Sequence, residues 1–140
     1  MKVLFASDGS ECADRAARFL VTSLRKALRE LRVTLFYVDV PMLDRVVAAL
    51  GEERVAQIHQ ENSDASLKGA RRRLKRSGLR FDEAHTAGNA AAHIAARAKA
   101  GRYDMVVMGS HGRSALANVL VGSVTARVLS ECEVPVLVVH

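Results

Sequence analysis

Three glycines and a serine in the last third of the chain could hold a phosphate group. Gly109 follows a short apolar run, Gly112 stands three residues later, and Gly122-Ser123 follow after nine more residues. The apolar run predicts the end of a buried strand, and the residues after Ser123 return to helical spacing. Glycines let the backbone approach an anion closely, and a helix start offers unpaired N–H groups. The segment therefore predicts an anion site, to which the hydroxyls of Ser123 and Thr125 can add donors.

The same glycines could simply form turns, because glycine also ends strands for structural reasons alone. Their spacing is neither that of the P-loop, which needs a Gly-Lys-Ser/Thr, nor the G-x-G-x-x-G pattern of dinucleotide-binding folds. The segment from Gly109 to Thr125 also contains no lysine and no carboxylate. Because efficient phosphoryl transfer needs a metal site and a positioned acceptor, the segment favours binding over catalysis.

The elements that lead to this loop begin with a strand and a helix. Lys2–Ser7 is mostly apolar and of strand length, and Asp8-Gly9-Ser10 interrupts it, with Ser10 suited to cap a helix. From Ala13 to Leu31 apolar residues recur at helical spacing, with charged residues between them, which predicts an amphipathic helix. Val33–Val40 returns to strand character.

The second half of the chain alternates in the same way. Leu43–Ser77 predicts a short helix, a break near Gly51 and a longer helix from Glu52 to Arg76. Leu79–Thr86 is more polar, which predicts a strand at an edge of the sheet. The remaining predicted elements are an alanine-rich helix at Ala90–Ala100 capped by Asn89, a strand at Asp104–Met108, a helix beginning at Gly122 or Ser123, and a strand at Val136–His140.

This alternation of strands and helices predicts an α/β fold. Successive βαβ units build a mostly parallel sheet that helices cover on both faces. The 140 residues predict a single domain, residues 1–140. No apolar run approaches the about 18 residues of a membrane span, and Met1-Lys2 lead directly into the first strand without room for a signal peptide. We therefore expect a cytoplasmic protein that does not enter a membrane.

The cysteines and histidines show no metal-ligand spacing. Cys12 and Cys132 stand far apart in predicted helices, and we interpret them as reduced, small apolar residues. Four histidines lie in different predicted elements and are interpreted as surface or packing residues: His59, His85, His93 and His140. The fifth, His111, belongs to the glycine-bearing loop.

Basic residues concentrate in one predicted helix. The net charge is +6, and the segment Lys68–Arg80 carries much of the excess. Helical spacing places four of its cations on one face: Lys68, Arg72, Lys75 and Arg76. No aromatic residue lies in the segment to stack on a base. A solvated helix face is the simpler interpretation, and non-specific binding of nucleic acid is the alternative; specific nucleic-acid binding is not expected.

The glycine spacing also resembles a known signature. Gly109-x-x-Gly112, nine residues and Gly122-Ser123 are similar to the G-2x-G-9x-G-(S/T) motif of the ATP-binding branch of the universal stress protein family. The likeness extends over most of the chain. Four further segments resemble the family's opening strand with its Asp-Gly-Ser turn, its second strand and its last two strands: Val3–Ser10, Leu35–Val38, Tyr103–Arg113 and Val134–Val139.

The resemblance implies a Rossmann-like sheet in the order 3-2-1-4-5 with an adenine nucleotide at its switch point. Strands 1 and 4 would then be neighbours, so that Asp8 and Gly109 converge on one crevice. The implied ligand is ATP, ADP or AMP with Mg²⁺, for which Asp8 is the one candidate carboxylate. The implied nucleotide-binding residues are Ala6, Ser7, Asp8, Val38, Met108, Gly109, His111, Gly112, Arg113, Gly122, Ser123, Val124 and Thr125.

The resemblance further implies a regulator or sensor in the stress response. ATP would order the loop Ser110–Val121 and change a surface that an unidentified protein partner reads. The final strand, Val136–His140, would pair with a second copy in a homodimer. The enzymatic alternatives are an adenylating activity, slow ATP hydrolysis, or self-phosphorylation at a serine: Ser110, Ser114 or Ser123.

Overall fold

Five parallel strands form one sheet in a computed structural model that describes residues 1–28, 30–112 and 121–140. The strands are β1 (Lys2–Ala6), β2 (Arg32–Asp39), β3 (Phe81–Ala87), β4 (Met105–Gly109) and β5 (Val136–Val139). Their order across the sheet is β3-β2-β1-β4-β5, with β1 paired to both β2 and β4. The α/β fold and the order 3-2-1-4-5 are therefore confirmed. The polar strand β3 lies at an edge, as its composition predicted.

Helices cover both faces of this sheet. They are α1 (Glu11–Phe19), α2 (Arg25–Ala27), α3 (Asp44–Leu50), α4 (Glu52–Ser77), α5 (Ala90–Ala100) and α6 (Ser123–Glu131). Helices α1 and α4 pack on one face against Val3 and Phe5, and α5 and α6 pack on the other against Leu4. Because alternate residues of β1 enter opposite cores, the strand is apolar throughout its buried length. No helix in the described ranges is both long and apolar enough to cross a membrane.

The predicted amphipathic helix from Ala13 to Leu31 is the element that differs most from expectation. α1 ends at Phe19, and the chain continues as a π-helical segment, Leu20–Leu24, before the short α2. The Thr22 hydroxyl donates to the carbonyl of Arg18 at 2.8 Å, a bond that competes with regular helical pairing. Leu28 is then extended, with φ −116° and ψ 123°, which turns the chain back toward β2.

The break between α3 and α4, and the end of α4, lie where the sequence predicted them. Gly51 has a φ of +81° between them, and Gly78 closes α4 in the left-handed region at φ +71°, where a side chain would be strained. Two arginines of α4 are held in ion pairs. Arg71 contacts Asp64 and Glu83, and Arg73 contacts Asp14 of α1.

The four cations predicted to share a face of α4 are all exposed: Lys68, Arg72, Lys75 and Arg76. We call them the basic face. Cys12 is buried in α1, whereas Cys132 lies one residue beyond the end of α6; both are free thiols.

Candidate functional site

A cleft of about 270 Å³ opens at the carboxyl ends of β1 and β4. This is where the strand order reverses, the position at which open α/β sheets bind ligands. Its lining comes from four separate stretches of the chain: Ala6, Ser7, Asp8, Ala13, Phe36, Tyr37, Val38, Val40, Ala90, Ile94, Met108, Gly109, His111, Gly112, Val124 and Thr125. Most of the lining is apolar, with the polar groups on the side of β1, β4 and α6.

The turn after β1 is tied to the loop after β4. The Asp8 carboxylate accepts the backbone N–H of Ser10 at 3.0 Å, which folds the turn. The Ser10 hydroxyl accepts the N–H of Ala13 at 3.2 Å and so caps α1. The same hydroxyl donates to the carbonyl of His111 at 3.2 Å. These bonds place the Asp8 carboxylate beside the glycine-bearing loop.

Gly109 serves the packing of α1 on the sheet. A Cβ at this position would stand 2.6 Å from the carbonyl carbon of Cys12 and 2.8 Å from the nitrogen of Ala13. Both atoms are backbone, which cannot move aside as a side chain can. The Gly109 carbonyl also accepts the Thr125 hydroxyl at 3.1 Å, which fixes the start of α6 against the end of β4.

Gly112 and Gly122 permit a close approach of three segments. A Cβ at Gly112 would lie 2.9 Å from Oδ2 of Asp8. A Cβ at Gly122 would lie 3.3 Å from the Ser110 carbonyl oxygen and 3.3 Å from the His111 Cα. The N–H of Gly122 donates to the Ser110 carbonyl at 2.8 Å. Gly122 therefore contributes space and position, and its N–H is already used within the protein.

The start of α6 has the form of an anion site. Its N-cap residue is Gly122, and among the residues that the structure describes no side chain caps its first turn. Ser10 caps α1 and Asn89 caps α5, whereas α3 and α4, neither of which lines the cleft, also begin without a side-chain cap. A helix start without a side-chain cap leaves N–H groups and a partial positive charge for a ligand. Since Val124 and Thr125 of this turn line the cleft, a phosphate fits here.

A buried serine joins the loop to the end of β5. Ser110 is fully buried, and its hydroxyl lies 3.0 Å from Nδ1 of His111 and 3.0 Å from Nδ1 of His140. Its N–H donates to the carbonyl of Val139 at 2.8 Å. His140 is thus a packing residue beside the loop. Burial of Ser110 argues against its phosphorylation in this conformation.

The other side of the cleft is an apolar wall. Phe36, Val38 and Val40 come from β2 and the turn after it, and Ala90 and Ile94 come from α5. Val38 was predicted from the sequence and the others were not. Strand β2 and α5 are far apart in the chain, and only the packing of α5 on the sheet brings them together. The wall suits a flat, uncharged group such as a nucleobase.

Asp39 is buried behind this wall and is held by four hydrogen bonds. Its carboxylate accepts the hydroxyl of Tyr37 and the N–H of Val40, both at 2.9 Å. It also lies 2.7 Å from Nδ1 of His59 and accepts the amide of Asn62 at 2.8 Å. Burial raises the pKa of Asp39, but these hydrogen bonds outweigh burial and hold the pKa below its usual value. No motif or residue spacing in the sequence pointed to this cluster.

Ten of the thirteen predicted site residues line the cleft: Ala6, Ser7, Asp8, Val38, Met108, Gly109, His111, Gly112, Val124 and Thr125. Gly122 and Ser123 lie beside it at the start of α6. Arg113, Ser114 and most of the loop predicted to respond to ATP lie outside the described residues. Among the residues that the structure describes, no group of three histidine, cysteine or acidic side chains could hold a metal ion.

Comparison with known proteins assigns the family. The model of the universal stress protein family matches residues 1–140. The chain belongs to the universal stress protein family. Universal stress protein MJ0531 of Methanocaldococcus jannaschii is 27% identical over 138 residues, which cover 99% of this chain and 81% of that protein.

Solved structures of this family share the fold. The structure of MJ0577 from the same archaeon has a TM-score of 0.80 at 27% identity and covers 99% of this chain and 94% of that one. A universal stress protein family protein from Arabidopsis thaliana, solved with AMP bound, has a TM-score of 0.69 at 19% identity. That alignment covers 99% of this chain and 90% of the Arabidopsis chain. At this identity the likeness concerns the fold.

Proposed function

We propose that this universal stress protein binds an adenine nucleotide in the cleft between β1 and β4. The observation that carries the proposal is the division of the cleft. One side has the start of α6 without a side-chain cap beside two glycines at close quarters, and the other side is an apolar wall. The first suits phosphates and the second suits a base. The AMP complex of the Arabidopsis relative supports the same ligand class.

We infer the direction of the nucleotide in the cleft from the lining residues. The first turn of α6 and Gly112 would hold the phosphates, with Arg113 pairing to a phosphate oxygen. Ala6, Ser7 and Val38 would contact the ribose and adenine. Asp8, the one carboxylate in the lining, would hold Mg²⁺ when ATP or ADP is bound. Mg²⁺ would supply charge neutralisation of the phosphates.

We further propose a regulatory role for the bound nucleotide. The glycine-bearing segment carries no lysine or carboxylate, and Ser110 is buried, so this segment favours binding over efficient phosphoryl transfer. β5 lies at an edge of the sheet, where pairing with a second copy would form a homodimer. We place this dimer in the cytoplasm, where a protein partner would read the nucleotide state.

The experiment is a calorimetric titration of the protein with ATP, ADP and AMP, each with and without Mg²⁺. A Gly122→Val variant is measured beside it, because the new side chain would push His111 and Gly112 away from α6. We expect the variant to lose affinity by about a hundredfold or more. Gly69→Val is the matched control, since a Cβ at Gly69 meets nothing within 4 Å.

Equal nucleotide affinity in the parent and in Gly122→Val would show that the nucleotide binds outside this cleft. A folded parent that binds none of the three nucleotides at millimolar concentration would refute the proposed function altogether.

A further inference from the structure

Asp39 holds the end of β2 in a defined position. The residues on either side of it, Val38 and Val40, line the apolar wall of the cleft. One carboxylate oxygen accepts the Val40 N–H at 2.9 Å and the Tyr37 hydroxyl at 2.9 Å. The backbone of Val40 is thereby fixed by the side chain of its predecessor. Val40 itself is 78% exposed, so apolar packing contributes little to its position.

The same residue joins this end of β2 to two other elements. Its second carboxylate oxygen lies 2.7 Å from Nδ1 of His59 and 2.8 Å from the amide nitrogen of Asn62, both on α4. Its carbonyl accepts the N–H of Gly88 at 2.9 Å. Gly88 begins the turn into α5, which contributes Ala90 to the wall. Asp39 thus ties the end of β2 to α4 and to the turn that leads into α5.

These contacts are too many for a neutral side chain to replace. An ionised carboxylate only accepts hydrogen bonds, and all four neighbours of Asp39 can donate to it. Asp39 is 6% exposed, so a donor that loses its partner there has little water to replace it. An asparagine would present its NH₂ group to at least one donor, and the end of β2 would shift.

We propose that Asp39 is the positioning residue for the base side of the cleft: it sets the affinity for the nucleoside without touching the nucleotide. This inference rests on the proposed function, because it concerns the same cleft. It also assigns the two sides of the cleft to different parts of the protein. The phosphate side depends on the glycines and α6, and the base side depends on the hydrogen bonds of Asp39.

The test compares two aspartates that both tie α4 to another element. Asp14 of α1 accepts two hydrogen bonds from Arg73 of α4, at 2.6 and 2.7 Å. Neither Asp14 nor Arg73 lines the cleft. Asp14→Asn is therefore the matched control for Asp39→Asn. Both variants and the parent are titrated with AMP and, separately, with inorganic tripolyphosphate, which has no base to position.

We expect Asp39→Asn to weaken AMP binding by about tenfold. A loss of this size is typical at metal sites when a residue that orients a metal ligand, without itself contacting the metal, is replaced. Tripolyphosphate affinity should stay within twofold of the parent, and Asp14→Asn should change neither affinity. Equal AMP affinity in all three proteins would overturn the inference and leave the proposed function intact. An equal loss of both ligands in Asp39→Asn would also overturn it, because it would show general loosening.

Two further measurements keep the test decisive if Asp39→Asn folds poorly. Asn62→Ala removes one donor and should weaken AMP binding in the same direction by a smaller factor. The double variant Asp39→Asn with Asn62→Asp exchanges amide and carboxylate and should recover most of the lost AMP affinity. General loosening would instead weaken the binding of AMP and of tripolyphosphate together in each of these variants. A parent that binds neither ligand would refute the proposed function, and this inference with it.

Discussion

The cleft and the basic face of α4 concentrate binding groups in different ways. In the cleft, no lysine or arginine belongs to the lining in the described part of the chain, and small residues from β1, β4 and α6 converge on one point. On the basic face, four cations stand side by side on one helix and are exposed to solvent. The cleft is assembled by the fold, whereas the basic face follows from local helical spacing alone.

The difference shows that charge density along the sequence is a poor guide to this site. The most basic segment of the chain uses two of its arginines to hold the fold together, through Asp14, Asp64 and Glu83. In the cleft, by contrast, the start of α6 would hold the anion that we propose. An anion site built from backbone groups depends on close approach, and therefore on glycines.

The substitution Gly109→Ala should show most clearly that the cleft depends on close packing and that the surface of α4 does not. The new Cβ would stand 2.6 to 2.8 Å from atoms of Cys12 and Ala13, so α1 must move off β4. We expect the free energy of unfolding to fall by about 3 kcal/mol, measured by urea denaturation. Gly69→Ala, in α4, meets nothing within 4 Å and should raise it by about 0.5 kcal/mol. Equal stability of the two variants would contradict this account of Gly109.

Charge reversal on the basic face should affect polyanions and leave the nucleotide unchanged. The variant carries Lys68→Glu, Arg72→Glu and Lys75→Glu. We expect AMP affinity within twofold of the parent. The parent should bind duplex DNA only weakly, and four phosphate contacts would cost it about a hundredfold in affinity between about 50 and 200 mM salt. The variant should lose this binding, as read by fluorescence anisotropy. Weakened AMP binding in the variant would show that the two regions are not independent.

The smallest expected effect on stability concerns the ion pair between Arg73 and Asp14. Hydrogen bonds from Arg73 hold the pKa of Asp14 below its usual value of 3.8. A lowered pKa stabilises the fold above the unfolded value, and the contribution disappears as the pH falls through the folded value. Asp14→Asn should cost about 0.5 kcal/mol at pH 7, because both side chains are about a third exposed.

The stability difference between the parent and Asp14→Asn should vanish in acid, below the folded pKa of Asp14. Thermal unfolding across a pH series measures it. A difference that persists unchanged at the acid end would assign the effect to packing instead of charge.

Much of the fold was predictable because its signals are local. Helix α5 occupies Ala90–Ala100 as predicted, with Asn89 as its cap, and Ser10 caps α1. The π-helical segment was missed because it depends on the hydroxyl of Thr22 competing with backbone pairing. The strand order was inferred from family resemblance, since hydrophobic pattern alone does not specify which strands are neighbours.

The sequence pointed to the glycine side of the cleft and largely not to its apolar wall. The glycines and Asp8 stand at strand ends, where sequence spacing and resemblance both point to them. Ile94 and Ala90 join the wall only because α5 packs on β2. The bond from His59 to Asp39 spans 20 residues between a helix and a strand. Contacts of this kind follow from tertiary packing and leave no repeat or motif in the sequence.

Amide chemical-shift mapping during a titration with AMP tests the central claim most directly, because it reports the cleft and the basic face in one experiment. We expect the largest shifts at Val38, at Gly109 and Gly112, and at residues 123–125, with none on the basic face. Shifts centred on Lys68–Arg76, or none at saturating AMP, would contradict it.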